Sequence, residues 1–311
     1  MNTNTRIFIA GHGDVIEKSL VAYFRASGFP QVSSSTERGT DLLDVAPVRA
    51  LFEKESPEYV VVTSIRSGGI AANQALAAEF IYENLQAQTN VIHQSYEHQV
   101  KKLLFVGASC VYPKDCPQPM KEESFLSGAM EKTSEPYSLA KAAGIIMCQA
   151  YRKQYGFNAV SIVPATVYGP GEGASSAENA HVMGAMLAKF RKAVAEGARS
   201  VEFWGTGEPR REFLYADDFA AACHFVLEHY DSGELLNVGT GEDVSIRDLA
   251  RIIRDVSGFK GEITWDTTRP DGAKRKLLAS SRLLSMGWRP QVALAEGVQR
   301  TYQALVKGDV P

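Results

Sequence analysis

The sequence predicts an α/β fold, a doubly wound parallel sheet followed by a smaller C-terminal α/β lobe, and three of its features carry that expectation. Short apolar runs alternate with longer amphipathic ones through the first half of the chain, the order of strand, crossover helix and parallel strand. Tyr59-Val60-Val61-Val62 and Leu103-Leu104-Phe105-Val106 are almost unbroken in apolar side chains, as strands covered on both faces require. Past Gly169-Pro170-Gly171 the alternation gives way to glycine-rich loops and more widely spaced elements.

Strands are expected at 6–10, 31–35, 59–63, 102–107 and 159–164, with helices between them at 15–27, 45–55, 73–99 and 136–155. The first strand runs into a glycine turn, and the helix near 136 opens at its proline, where a missing N–H costs nothing. Beyond the glycine-rich stretch the pattern predicts a helix at 216–228, a strand at 235–238, a helix at 245–257 and a last helix at 295–306. Residues 1–168 then form one lobe and 169–311 a second, partly interleaved with the first. No internal repeat or low-complexity linker separates them.

Composition narrows the function classes. The 311 residues are 45% hydrophobic and 22% charged with a formal net charge of −3, so no general nucleic-acid or membrane surface is expected and any anion site must be local. No apolar run approaches the roughly 20 residues a membrane span needs, and the first residues lack a cleavable signal pattern, which makes a cytoplasmic location the expectation. Cys110, Cys116, Cys148 and Cys223 include no C-x-x-C pair and no histidine at zinc-ligand spacing; reduced thiols and no metal site are expected.

The turn Gly11-His12-Gly13-Asp14-Val15-Ile16-Glu17 lies between the first strand and helix, where a Rossmann-type fold lays a dinucleotide pyrophosphate on a helix N-terminus. Its spacing completes neither glycine fingerprint, because Asp14 and Glu17 stand where one frame needs glycine and Ile16 where the other does. Two carboxylates there oppose a pyrophosphate unless they turn outward. After the second strand, Ser33-Ser34-Ser35-Thr36-Glu37-Arg38 has no acidic residue at its very end, and Arg38 with the serines suits a 2′-phosphate, favouring NADP(H) while leaving NAD(H) open. Tyr137 and Lys141 share one helical face, and a lysine ammonium beside a phenol favours the phenolate, a pairing suited to carbonyl reduction.

Residues 6–12, the run Leu103 to Pro113, Glu135-Pro136-Tyr137 through Lys141, Trp204-Gly205-Thr206-Gly207 with Arg211-Glu212-Phe213-Leu214, and Pro270-Asp271-Gly272 with Arg275-Lys276-Leu277-Leu278 together resemble the GDP-L-fucose synthase family. That family belongs to the extended short-chain dehydrogenase/reductases, within the NAD-dependent epimerase/dehydratases. The resemblance implies conversion of GDP-4-keto-6-deoxy-D-mannose to GDP-L-fucose by epimerisation at C3 and C5 and NADPH-dependent reduction at C4. It implies Cys110 and His181 as the proton carriers of epimerisation, Tyr137 as proton donor in reduction, and Lys141 as its neighbour and a holder of the nicotinamide ribose. Both carriers have ordinary pKa values near enough to neutral, about 8.5 and 6.5, to exchange protons. Gly11, Gly13, Val15, Ile16, Arg38, Asp41 and Leu42 are implied around the cofactor. Ser109, Thr166, Lys189, Trp204, Arg211, Asp271 and Lys276 are implied around the GDP-sugar, Arg211 and Lys276 at the diphosphate.

This sequence departs from the family pattern at functional positions. Ala108 stands where a serine or threonine is expected to hold the sugar carbonyl oxygen, and Thr166 where asparagine is usual. Loss of one such donor costs about 2.7–4 kcal/mol of transition-state stabilisation, a slowing of roughly 100- to 1000-fold. Ser109 is adjacent, but along a strand neighbouring side chains face opposite ways, so it needs a local backbone change to substitute. With Asp14 and Glu17, these changes leave an alternative open: a paralogue that only epimerises, or only binds a nucleotide sugar. Apolar faces at 73–99 and 136–155, by analogy with related folds, predict a four-helix homodimer contact.

Overall fold

The computed structural model describes residues 1–172 and 181–308. In chain order the first lobe contains β1 (Ile7–Ala10), α1 (Val15–Ala26), β2 (Val32–Ser34), α2 (Ser35–Arg38), α3 (Val45–Glu55), β3 (Tyr59–Val62), α4 (Ile70–Ala75), α5 (Ala77–Glu97), β4 (Lys102–Val106), α6 (Glu135–Tyr155), β5 (Ala159–Pro164) and β6 (Thr166–Tyr168). There follow α7 (Val182–Glu196), β7 (Ser200–Trp204), β8 (Arg210–Arg211), β9 (Phe213–Tyr215), α8 (Ala216–His229), β10 (Leu236–Val238), β11 (Val244–Ser245), α9 (Ile246–Ser257), β12 (Glu262–Asp266), β13 (Arg275–Lys276), α10 (Ser281–Ser285) and α11 (Leu294–Lys307).

The central sheet has six parallel strands in the order β10-β5-β4-β3-β1-β2, with Ile7 opposite both Val32 and Tyr59. Because β2 and β3 flank β1 on opposite sides, the chain reverses direction across the sheet there, and a crevice opens at the strand C-termini. All five residues of β4 and all six of β5 are buried, as a sheet covered on both faces demands.

Two predicted elements are altered. The helix expected at 73–99 is broken at Leu76, whose φ of −122° is not helical, giving a short α4 before the long α5. The strand expected at 31–35 stops at Ser34, because the Ser34 side chain accepts from Glu37 N–H and starts α2. Small additional sheets, β11-β8-β13, β12-β7 and β6-β9, arise in the second half, where the sequence reading expected mainly loops and helices.

The second half returns to the first lobe. Strand β10 pairs with β5, and Phe219, Cys223 and Val226 of α8 join the same core as Phe24 of α1. A separate core gathers Met183, Leu187 and Phe190 of α7 with Leu249 and Ile253 of α9 and Val298 of α11. On the sheet, α6 lies unusually close to β4, since a Cβ at Gly144 would strike the Phe105 ring. That close approach carries Lys141, one turn earlier, to 4.3 Å above the same ring.

Candidate active site

The crevice is built from strand ends: Gly11 follows β1, Thr63 and Ser64 follow β3, and Ala108 to Cys110 follow β4. Helix α6 opens at Glu135 with Pro136 in its first turn, and presents Tyr137 and Lys141 to these ends. The Tyr137 phenol oxygen lies 2.8 Å from Ser64 Oγ, and Lys141 Nζ donates to Thr63 O at 3.3 Å. Ser109–Val111 form a single 3-10 turn after extended Ala108, so the strict side-chain alternation expected through Ser109 ends at Ala108. This turn brings the Cys110 thiol within electrostatic reach of Ser138, Lys141 and Lys276.

Burial governs the charges. It pushes Lys141 down to about 7, against the opposing pull of the Cys110 and Cys148 thiols and Asp14. It pushes the Tyr137 phenol well above its ordinary range, Cys110 and Asp14 adding to the rise and the Ser64 hydrogen bond opposing it. The sequence reading expected Lys141 to pull this phenol down; here the lysine turns its donor to Thr63 O and burial dominates both groups. Burial also raises the Cys110 thiol, with Lys276 the largest opposing influence.

His181 is the N-cap residue of α7, without a side-chain cap bond, and burial lowers its imidazole from the ordinary range, Asp14 working the other way. Glu172, which no motif pointed to, is pushed up to about 7 by burial and by Asp14. Tyr137, Lys141, His181 and Glu172 are each influenced by the Asp14 carboxylate.

The glycine turn resolves the two carboxylates differently. Glu17, only 1% exposed, turns inward rather than outward and accepts from Gly13 N–H at 2.6 Å, Thr36 N–H at 3.2 Å and the Thr36 hydroxyl at 3.0 Å. It is an internal strut joining the turn to α2. Asp14 is the N-cap of α1, accepting from Glu17 N–H at 2.9 Å. Gly13 has φ +80°, and Val15 and Ile16 open the helix with N–H groups that have no intrahelical acceptor. Those free donors, the turn and the positive helix end fit a dinucleotide pyrophosphate.

Arg38 is drawn to Glu55 at 2.5 Å, so a 2′-phosphate must compete with that carboxylate for it. Asp41 Oδ1 accepts from Leu43 N–H at 2.9 Å, and buried Leu42 gives its carbonyl to Asn90 at 2.9 Å, which fixes the backbone after α2.

Across the crevice, Arg211 Nη1 donates to Ala273 O at 2.7 Å, and burial lowers both Arg211 and Lys276 from their usual ranges. Half-buried cations that have no carboxylate partner among the described residues are suited to a diphosphate. Thr166 sits on β6 with its N–H on Glu212 O at 3.1 Å. Trp204, 63% exposed at the end of β7, stacks under Arg269 at 4.6 Å. Asp271 accepts from Thr206 N–H at 2.9 Å and its hydroxyl at 2.7 Å, at Gly205, where a Cβ would meet the Asp271 carboxylate. Lys189, in contrast, is occupied with Glu202 O at 2.9 Å on the β7 side of α7.

Two anchors escaped sequence reading. Glu212 accepts from Gly241 N–H at 2.7 Å and Leu278 N–H at 2.9 Å, tying the loops behind Arg211 and Lys276 together. Asn237 accepts from the Tyr112 hydroxyl at 2.6 Å and donates to Met120 O at 3.0 Å, locking the loop beyond Cys110 onto β10. A Glu directly after Arg211 was the available signal for the first; nothing local marked the second.

A dinucleotide crevice with a tyrosine and lysine on its floor, facing half-buried cations in a second lobe, defines a nucleotide-sugar reductase or epimerase. The comparisons agree with that class. The NAD dependent epimerase/dehydratase family model matches residues 7–239. GDP-L-fucose synthase 1 of Arabidopsis thaliana is 46% identical over 98% of this chain and 94% of its own length. GDP-L-fucose synthase of Escherichia coli (strain K12) is 40% identical over 96% and 95%. A Campylobacter jejuni GDP-mannoheptose C4 reductase, solved with NADP bound, superposes with a TM-score of 0.89 at 36% identity, covering 98% of this chain and 99% of the other. The chain belongs to the NAD dependent epimerase/dehydratase family and, within it, to the GDP-L-fucose synthases.

Proposed function

We propose that the protein epimerises GDP-4-keto-6-deoxy-D-mannose at C3 and C5 and reduces it at C4 to GDP-L-fucose, with NADPH as the reductant. The observation that carries this reading is the geometry at the sheet's C-terminal edge, where Tyr137 meets Ser64, Lys141 reaches Thr63 O, and the 3-10 turn of Cys110 lies beyond β4. NADPH would be held by Gly11, Gly13, Val15 and Ile16 at the turn and by Lys141 at the nicotinamide ribose, and when bound it would supply the hydride. In this reading Arg38, Asp41 and Leu42 flank the adenosine end.

The C4 ketone acidifies the hydrogens on C3 and C5, and each inversion needs one group to take a proton and another to return it. Cys110 and His181 serve as those groups, the neutral imidazole being ready to accept. When C4 is reduced, a neutral Tyr137 gives its phenolic proton to the C4 oxygen. Arg211 and Lys276 hold the diphosphate, while Trp204, Asp271, Ser109, Thr166 and Lys189 shape the sugar and base pockets. Residues 1–168 carry the cofactor and 169–311 most of the nucleotide-sugar contacts. Against the alternative of a binding-only paralogue, the Glu17 carboxylate is committed to internal hydrogen bonds with Gly13 and Thr36.

Tyr82, Leu139, Ile146 and Tyr155 are exposed on α5 and α6, which supports homodimerisation through these helices. Among the described residues no helix is long and apolar enough to cross a membrane, consistent with action in the cytoplasm.

Incubation with the ketosugar and NADPH in deuterated water tests the whole reading. GDP-L-fucose labelled at C3 and C5 is expected, with stoichiometric NADPH oxidation. Unlabelled product refutes the epimerase half, and labelled sugar without NADPH oxidation refutes the reductase half.

A further inference from the structure

A hydroxyl outside every motif discussed above touches the phenol. Ser64, immediately beyond β3, is 8% exposed, and its Oγ lies 2.8 Å from the Tyr137 oxygen. Its backbone is clamped from three sides. Thr63 N–H donates to Ala10 O of β1 at 2.8 Å, Lys141 Nζ of α6 donates to Thr63 O at 3.3 Å, and His12 Nδ1 of the glycine turn lies 2.6 Å from Ser64 O. A residue fixed in this way retains only its χ1 rotation, which here aims the hydroxyl at the phenol. At the end of β4, the position expected to provide a hydroxyl is Ala108, a bare methyl.

We propose that Ser64, which brings a hydroxyl to the site from β3 where Ala108 brings none from β4, is a positioning residue that holds Tyr137 for proton transfer to the C4 oxygen. The assignment rests on the reductase reading above. As hydride reaches C4, the O–H bond of Tyr137 breaks and its proton forms the new hydroxyl on the sugar, leaving a buried phenolate that solvent later reprotonates. The Ser64 O–H donates to that developing anion, and hydrogen bonds to charged acceptors are roughly twice as strong as neutral ones. The gain therefore falls on the transition state rather than on binding. Epimerisation, which uses Cys110 and His181, does not draw on it.

The test compares wild type with S64A, S64T and S64A/A108S. Deuterium wash-in at C3 and C5 of GDP-4-keto-6-deoxymannose is followed without cofactor, NADPH oxidation is followed with it, and NADPH affinity is measured by nicotinamide fluorescence. S64A is expected to slow hydride transfer about 100-fold, the size of effect of one lost donor, with wash-in and NADPH affinity retained. Its alkaline limb for reduction moves to higher pH, because the hydrogen bond that lowers the phenol is gone. S64T, or the relocated hydroxyl in S64A/A108S, restores most of the rate. The assignment is overturned by an S64A that oxidises NADPH within about twofold of an active wild type, by parallel loss of wash-in and reduction, or by failure of both restoring variants. A wild type that oxidises no NADPH at all refutes the reductase reading, and this assignment with it.

Discussion

Lys141 shows how burial sets the character of a single side chain. Its folded pKa of about 7 lies below the ordinary 10.5, so between those values the unfolded chain binds more protons than the native one. Stability from this group therefore rises with pH across that window and is lowest below about 7. Lys141→Met, which keeps most of the volume, is expected to raise the Tm of the nucleotide-free protein most below pH 7, the gain fading towards 10.5. A gain equal at every pH would rule out the titration account. For the proposed proton carriers, Cys110→Ala and His181→Gln are each expected to cut epimerisation at both C3 and C5 by roughly 100- to 10,000-fold, since each inversion needs both groups. Inverted, labelled product formed at the wild-type rate by either variant would sink the assignment. Tyr137 and Lys141 were legible because their spacing is local, and Cys110 through the family resemblance; Ser64 was not, since its partner is 73 residues away.

Helix α1 and helix α6 show what elements demand of particular residues. Glu17 stands where a glycine would let helix and strand approach, but its carboxylate bonds Gly13 and Thr36 and so holds turn and α2 together. Glu17→Ala leaves buried donors unpaired and is expected to cost about 2–4 kcal/mol, read from the urea midpoint. A loss under about 0.5 kcal/mol would show the strut to be dispensable. At the other contact, Gly144→Ala drives a Cβ into the Phe105 ring. It should destabilise by roughly 1–3 kcal/mol and lower reductase activity, because α6 carries Tyr137 and Lys141. A fully active, equally stable G144A would mean that α6 can lift off β4 freely. The helices themselves were legible from periodicity, but the direction of Glu17 depends in part on Thr36, 19 residues away.

Across the whole molecule, the reversal of strand order beside β1 opens the crevice, and the return of α8 and β10 to the first lobe brings Arg211 and Lys276 opposite it. NADPH bound there stabilises only the folded chain, so saturation near 100 times Kd should add about 2.7 kcal/mol and raise the Tm measurably. No thermal shift at millimolar NADPH would contradict the cofactor reading. The exposed apolar residues of α5 and α6 belong to the same scale. Leu139→Glu with Ile146→Glu is expected to turn a dimer into a monomer in light scattering, with little change in Tm for surface positions. A wild type already monomeric at micromolar concentration would exclude this interface.

The amino-acid order alone determined the doubly wound sheet and the place of the cofactor turn, and its motifs singled out Tyr137, Lys141 and Cys110, because apolar periodicity and short motifs act over a few residues. Tertiary structure alone decided that Glu17 faces inward, that burial rather than Lys141 governs the Tyr137 phenol, and that Ser64 meets it. Hydrogen-bond partners and desolvation depend on which distant segments pack together, and that information appears only when the strand ends converge.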